Sequence, residues 1–123
     1  MCLTVQNTIL PKIKKNGRIT VYKMVDKRDG KIVTPFQGRK VNSGWLRAGN
    51  GRIPKNIRFD DEIEAGAIHC LENKKEAKER AANDGSFLLE CEAYAKDFIA
   101  RGQYNDLAFK KIYISKKQLD KIK

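Results

Sequence analysis

The clearest hydrophobic alternation in the chain lies in residues 17–25, GRITVYKMV, where Ile19, Val21 and Val25 fall on one side of an extended backbone and Thr20, Tyr22 and Met24 on the other. Period-two patterning in β-branched and aromatic residues predicts a strand. Asp29-Gly30 predicts a tight turn, and KIVTPF (31–36) predicts the returning strand of a hairpin, with Pro35 at its edge or end. AIHCL (67–71) predicts a short apolar strand. SFLLECEAY (86–94) alternates with Phe87, Leu89, Cys91 and Ala93 inward, and LAFKKIYI (107–114) predicts a further strand.

Helical signals interrupt the strands singly. Asn73 with Glu76 three residues on has the form of a capping box, and KKEAKERAA (74–82) follows as a helix burying Ala77 and Ala81 until the Asn83-Asp84-Gly85 cluster ends it. Ser115 with Gln118 repeats the capping signal before a short C-terminal helix. FDDEIEAG (59–66) reads as an acidic turn or a single helical turn, and AKDFIARGQYND (95–106) as a connection with a helical turn near Phe98 and Ile99. The expected fold is α+β: a mostly antiparallel sheet with one helix packed on a face and a short C-terminal helix. Residues 1–123 are expected to form a single domain.

Between Gln37 and Arg58 the periodicity disappears. This stretch has four glycines, six Lys/Arg and no acid, and reads as one long basic loop, 37–58, of the kind that is often functional. It holds the only tryptophan, Trp45. The indole can stack on a base while Arg39, Lys40, Arg47, Arg52 and Arg58 meet phosphates, or it can pin the loop to the core. Charge makes the first reading more interesting. The net charge is +11, yet residues 1–58 carry 14 Lys/Arg against only Asp26 and Asp29, a balance of +12, while residues 59–123 balance at −1. Such asymmetry suggests an electrostatic footprint for an anionic partner: a nucleotide, nucleic acid or an acidic host protein. A generally cationic surface is the plainer alternative.

No apolar run approaches the about 18 residues needed to cross a membrane. The N-terminus has neither the basic start nor the cleavage site of a secretory signal, so a cytoplasmic protein with no membrane partner is expected. Cys2, Cys70 and Cys91 are odd in number and lack a C-x-x-C pair, as expected of reduced thiols. A Cys70–Cys91 disulfide is the alternative. There is no phosphate-binding or dinucleotide-binding glycine motif, no H-E-x-x-H and no zinc-type cysteine spacing, so no cofactor and no metal are expected. The Gly49-Asn50-Gly51 amides remain a possible anion nest. His69 and Cys70, neighbours on a strand, point to opposite faces and cannot form a catalytic dyad. Cys70 suits the core. His69, on the other face, is either an acid–base group or a structural hydrogen-bonding residue.

VYKMV, GAIHCLENKKEA and LLECEAYAKDFIARG resemble a pattern in small phage-encoded proteins: Tyr-Lys on an early strand, Gly-x-x-His on a later one, then a helix with a fixed alanine. The middle of the chain is similar, more distantly, to the strand–helix–strand core of ADP-ribosyltransferases. That resemblance places His69 where the family has its ring-stacking tyrosine. Lys23 falls near a histidine or arginine that holds the NAD ribose. Both residues depart from the family pattern and no late catalytic glutamate is found, which implies a retained nucleotide pocket more readily than transferase activity. The expectation is a non-catalytic binding protein for an anionic partner, with Lys23, Arg39, Lys40, Trp45, Arg47, Arg52, Arg58 and His69 as ligand contacts. A phage origin implies a host-takeover or anti-defence role in the host cytoplasm, sequestering a nucleotide signal or blocking a nucleic-acid-handling machine. A homo-oligomer is compatible with this. A degenerate transferase acting on NAD and a direct nucleic-acid binder are the alternatives.

Overall fold

The computed structural model describes residues 3–35, 38–49, 57–59, 62–63 and 67–122. Among them are ten strands and two helices: β1 (Leu3–Asn7), β2 (Arg18–Arg28), β3 (Lys31–Val33), β4 (Gly44–Arg47), β5 (Glu62–Ile63), β6 (Ile68–Leu71), α1 (Lys74–Asp84), β7 (Phe87–Tyr94), β8 (Phe98–Gly102), β9 (Asp106–Phe109), β10 (Lys111–Ile114) and α2 (Lys116–Asp120). Every described pairing is antiparallel, and the strands follow the order β4-β10-β7-β2-β6-β9-β8-β1-β5, with β3 added to β2. The fold is α+β, mostly antiparallel sheet with two helices.

β2 is the organising strand. It pairs with β7 from Arg18↔Tyr94 through Val25↔Phe87. The inward rows of the two strands, Ile19, Val21 and Val25 with Leu89, Cys91 and Ala93, are almost fully buried. Ile112 and Ile114 of β10, Leu46 of β4 and Phe109 of β9 complete this core. Phe87 departs from its predicted inward place and is 43% exposed, at the start of its strand. A second cluster joins Leu3 and Val5 of β1 to Ala67, Ile99, Ala100 and Ala108. The hairpin turn forms as its sequence requires, with Asp29 and Gly30 both at positive φ, 51° and 75°.

Both helices start where their capping residues stand. The Asn73 side chain accepts from the Glu76 amide, and the Ser115 hydroxyl accepts from the Gln118 amide. Gly85 closes α1 in the left-handed conformation. Ala77 and Ala81 are buried where α1 runs alongside β2, β6 and β7.

Several elements differ from expectation. The predicted loop 37–58 contains β4, which pairs residue by residue with β10, and a bridge from Lys40 back to Val33. β4 escapes a pattern reading because only Leu46 of its four residues is buried. β1 was not among the predicted elements and β8 falls in the segment read as a connection; both are strands, and the helical turn sits just before β8, at Ala95–Asp97. Glu62 and Ile63 form a strand in the segment read as an acidic turn.

Gly102 of β8 has no room for a side chain: an added Cβ would meet the Asp106 carboxylate and lie 2.8 Å from Leu3 Cγ. Gly102→Ala is therefore expected to lower stability by about 1–3 kcal/mol through overpacking, measurable as a lower urea midpoint at unchanged slope.

A candidate anion-binding cleft where two strands part

β6 meets β2 at a single rung, Tyr22↔Leu71, whereas β3 joins β2 only from Asp26 onward. Between these two pairings lie Lys23, Met24 and Val25. Here a cleft of about 110 Å³ opens, walled by Thr34 and Pro35 after β3, by Ala67–Leu71 along β6, and by Tyr22, Arg39, Arg80 and Asp106. The sheet makes a site by failing to close.

Lys23 stands in the buried row of β2, between Val21 and Val25, and is only 8% exposed. A long cationic side chain at an inward position is rare unless it is paired. Its Nζ donates to the His69 carbonyl at 3.0 Å, and among the described residues it forms no ion pair. Burial holds its pKa below the ordinary value of 10.5, and the nearby Arg39 guanidinium adds to that depression. The thiols of Cys70 and Cys91 lie close enough to act on it electrostatically. Burial pushes the Cys70 thiol up to about 12 and raises Cys91 as well, so both stay protonated at neutral pH and neither acts as a thiolate nucleophile. Both are free cysteines.

Arg39 reaches the cleft from the segment after β3. Its backbone is locked to Thr34, with the Arg39 amide donating to Thr34 Oγ1 at 3.0 Å and the Thr34 amide donating to the Arg39 carbonyl at 2.8 Å. Its guanidinium donates to the Arg47 carbonyl at 2.8 Å and forms no ion pair among the described residues. Arg80 arrives from α1 and is more committed, donating to Glu76 at 2.7 Å and to the Tyr104 carbonyl. Tyr22 lines the mouth; burial first, and the Glu90 carboxylate second, keep its hydroxyl protonated. His69 is partly buried on the β6 wall, opposite in orientation to the core residue Cys70. Asp106 is the one carboxylate among the lining residues, so the cleft is cationic overall.

No family model, no curated protein and no solved structure matches the chain. The site must therefore be read from its own chemistry.

Of the eight residues singled out in the sequence, Lys23, Arg39 and His69 converge here. Trp45 and Arg47 do not line the cleft: they lie on the solvent side of β4. Lys40 borders a separate groove of about 350 Å³ with Lys31 and Lys116. Arg58 is exposed in the short stretch 57–59 and is not part of the cleft lining. Arg52 lies outside the described residues, as does the proposed nest at Asn50 and Gly51. Four polar lining residues, Tyr22, Thr34, Arg80 and Asp106, were not among those singled out. Arg80 had no signal beyond a helix charge, but the Lys in Ile-x-Val-x-Lys-x-Val was itself a signal, an ammonium in the middle of an apolar row.

Proposed function

We propose that this chain binds a small phosphate-bearing anion, a nucleotide being the best fit, in the cleft between β3 and β6. What carries the reading is Lys23: a buried amine that forms no ion pair among the described residues and lines the same cavity as Arg39. Burying a charge is costly unless it is paired. A phosphate entering the cleft supplies the missing pair, favours the protonated lysine and accepts hydrogen bonds from Lys23 and Arg39. A cleft of about 110 Å³ takes a phosphate group rather than a whole nucleotide, so the rest of the ligand lies outside it. Binding without turnover agrees with a role in sequestering a nucleotide signal, as the resemblance to phage-encoded proteins implies.

Titration calorimetry with ATP, NAD and inorganic phosphate tests this. Saturable binding is expected, weakening as salt rises because the contacts are between charges. Arg39→Ala is expected to weaken affinity about tenfold or more, the usual cost of losing one charge-assisted hydrogen bond. Lack of saturable binding by any of the three rules the reading out. A second reading, an ADP-ribosyltransferase-like enzyme, draws support from the meeting of Lys23 and His69 in one cleft. Labelled NAD that is neither transferred nor hydrolysed retires it.

A further inference from the structure

A second feature stands apart from the cleft. On the solvent side of four adjacent strands, the register aligns Trp45 with Tyr113 and Tyr113 with Glu92, and in the next row Arg47 with Lys111. Tyr94, two residues beyond Glu92, is opposite Arg18. Residues two apart in a strand share a face, so these side chains form one surface. Its reverse side is core, with Leu46, Ile112, Cys91, Ala93 and Ile19 all buried.

The three rings form a contiguous cluster. Trp45 lies 5.4 Å from Tyr113 and 5.6 Å from Tyr94 between centroids. The cluster is not covered: Trp45 is 39% and Tyr113 36% exposed. Cations border it throughout. Lys111 Nζ stands 4.7 Å from the Trp45 ring centroid, while Lys96 Nζ and the Arg18 guanidinium each stand 5.6 Å from that of Tyr94. Glu92 answers Arg18 at 3.4 Å and Lys14 at 3.7 Å. Among the described residues, Arg47, Lys96 and Lys111 form no ion pair.

Cross-strand aromatics alone stabilise a sheet. What they do not account for is the uncompensated positive charge held directly over and beside half-exposed rings. Aromatic faces bordered by lysine and arginine on an open sheet suit a partner that is both π-faced and polyanionic. Bases offer their faces only when unpaired, so the partner is single-stranded. We propose that this sheet face binds single-stranded nucleic acid, with bases against Trp45 and Tyr113 and phosphates on Arg18, Arg47, Lys96 and Lys111. On binding, Lys111 moves from the indole to a phosphate and frees the ring for a base.

Trp45 is the only tryptophan, so the site carries its own reporter. The test is titration of the full chain with a short fluorescein-labelled oligothymidylate, following both polarisation and Trp45 emission, with a hairpin duplex of equal charge as competitor. Quenching of the indole is expected, together with preference for the single strand and affinity that falls steeply with salt. Trp45→Ala is expected to weaken binding about tenfold or more, the range for one lost stacking contact. Because that variant can loosen β4, the pair Arg47→Glu with Lys111→Glu provides a second reading. It is expected to weaken binding further and to flatten the salt dependence, whereas Lys116→Glu with Lys117→Glu on α2 has a far smaller effect for the same change in charge. Unquenched emission, preference for the duplex, or equal losses in the two charge-reversed pairs would each overturn the proposal.

Discussion

Lys23→Met is expected to raise the unfolding temperature by several degrees while abolishing anion binding in the cleft. Methionine has nearly the length of the lysine stem and suits the apolar row of Ile19, Val21 and Val25. Replacing buried charges by apolar groups of similar volume commonly stabilises by about 1–4 kcal/mol. The sign of the pH dependence follows from the same burial. Lys23 has a depressed pKa in the folded chain, so the unfolded chain binds more protons between that value and the ordinary 10.5. Its penalty is therefore complete below the folded pKa and is relieved as pH rises toward 10.5. Cys70 and Cys91 act in the opposite sense above their ordinary value of 9.0, because raised thiol pKa values lose stability as pH climbs. Comparing the wild-type and Lys23→Met chains by thermal melts across pH isolates the lysine: the variant's advantage shrinks as pH rises. An unchanged or lowered melting temperature in the variant, at every pH, would mean that the ammonium is well accommodated and that the cleft needs no anion.

Phe109→Ala is expected to cost about 3–5 kcal/mol, the range for deleting a buried aromatic ring. Phe109 is fully buried and stands opposite Ile68 on one side and Phe98 on the other. Its ring meets that of Phe98 edge to face, 5.6 Å between centroids at 63°. It is thus the point where β6, β8 and β9 are joined. Marginal stabilities of about 5–15 kcal/mol leave little after such a loss. Urea unfolding followed by Trp45 emission measures it, and Phe109→Leu should recover a large part. A loss near 1 kcal/mol would show that the ring is not a principal support of this part of the sheet.

The legible parts of the sequence were those where one local rule acted alone. The β2–β3 turn depends on Asp29-Gly30, and the two helix starts depend on Asn73 and Ser115; each was readable from a few residues and each formed. The inward row of β7 was readable because both neighbouring strands bury it, and it failed only at Phe87, at the end of the ladder. β1, β4 and β8 were not legible. β1 and β8 depend on each other across almost the whole chain, Val5↔Gly102, with an irregularity in the register. β4 depends on β10, with one buried residue to mark it. The residue types of the site were visible, but their grouping was not. Lys23, Arg39 and His69 belong to different strands or loops, and only the parting of β3 from β6 brings them together. Trp45 and Arg39 are six residues apart and looked like one site, yet β4 turns the indole to an open face while Arg39 lines the cleft.

The ordering of the sheet has a cost during synthesis. β1 and β2 are made well before their partners β8 and β7, which follow from 62 residues later, Val25↔Phe87, to 97 later, Val5↔Gly102. At about 5–20 residues per second, the nascent chain spends several seconds with these strand edges bare. Only the β2–β3 hairpin can form at once. Non-local pairing of this kind folds slowly and is exposed to aggregation. Slower growth, or more chaperone capacity in the expressing cell, should therefore increase the soluble yield.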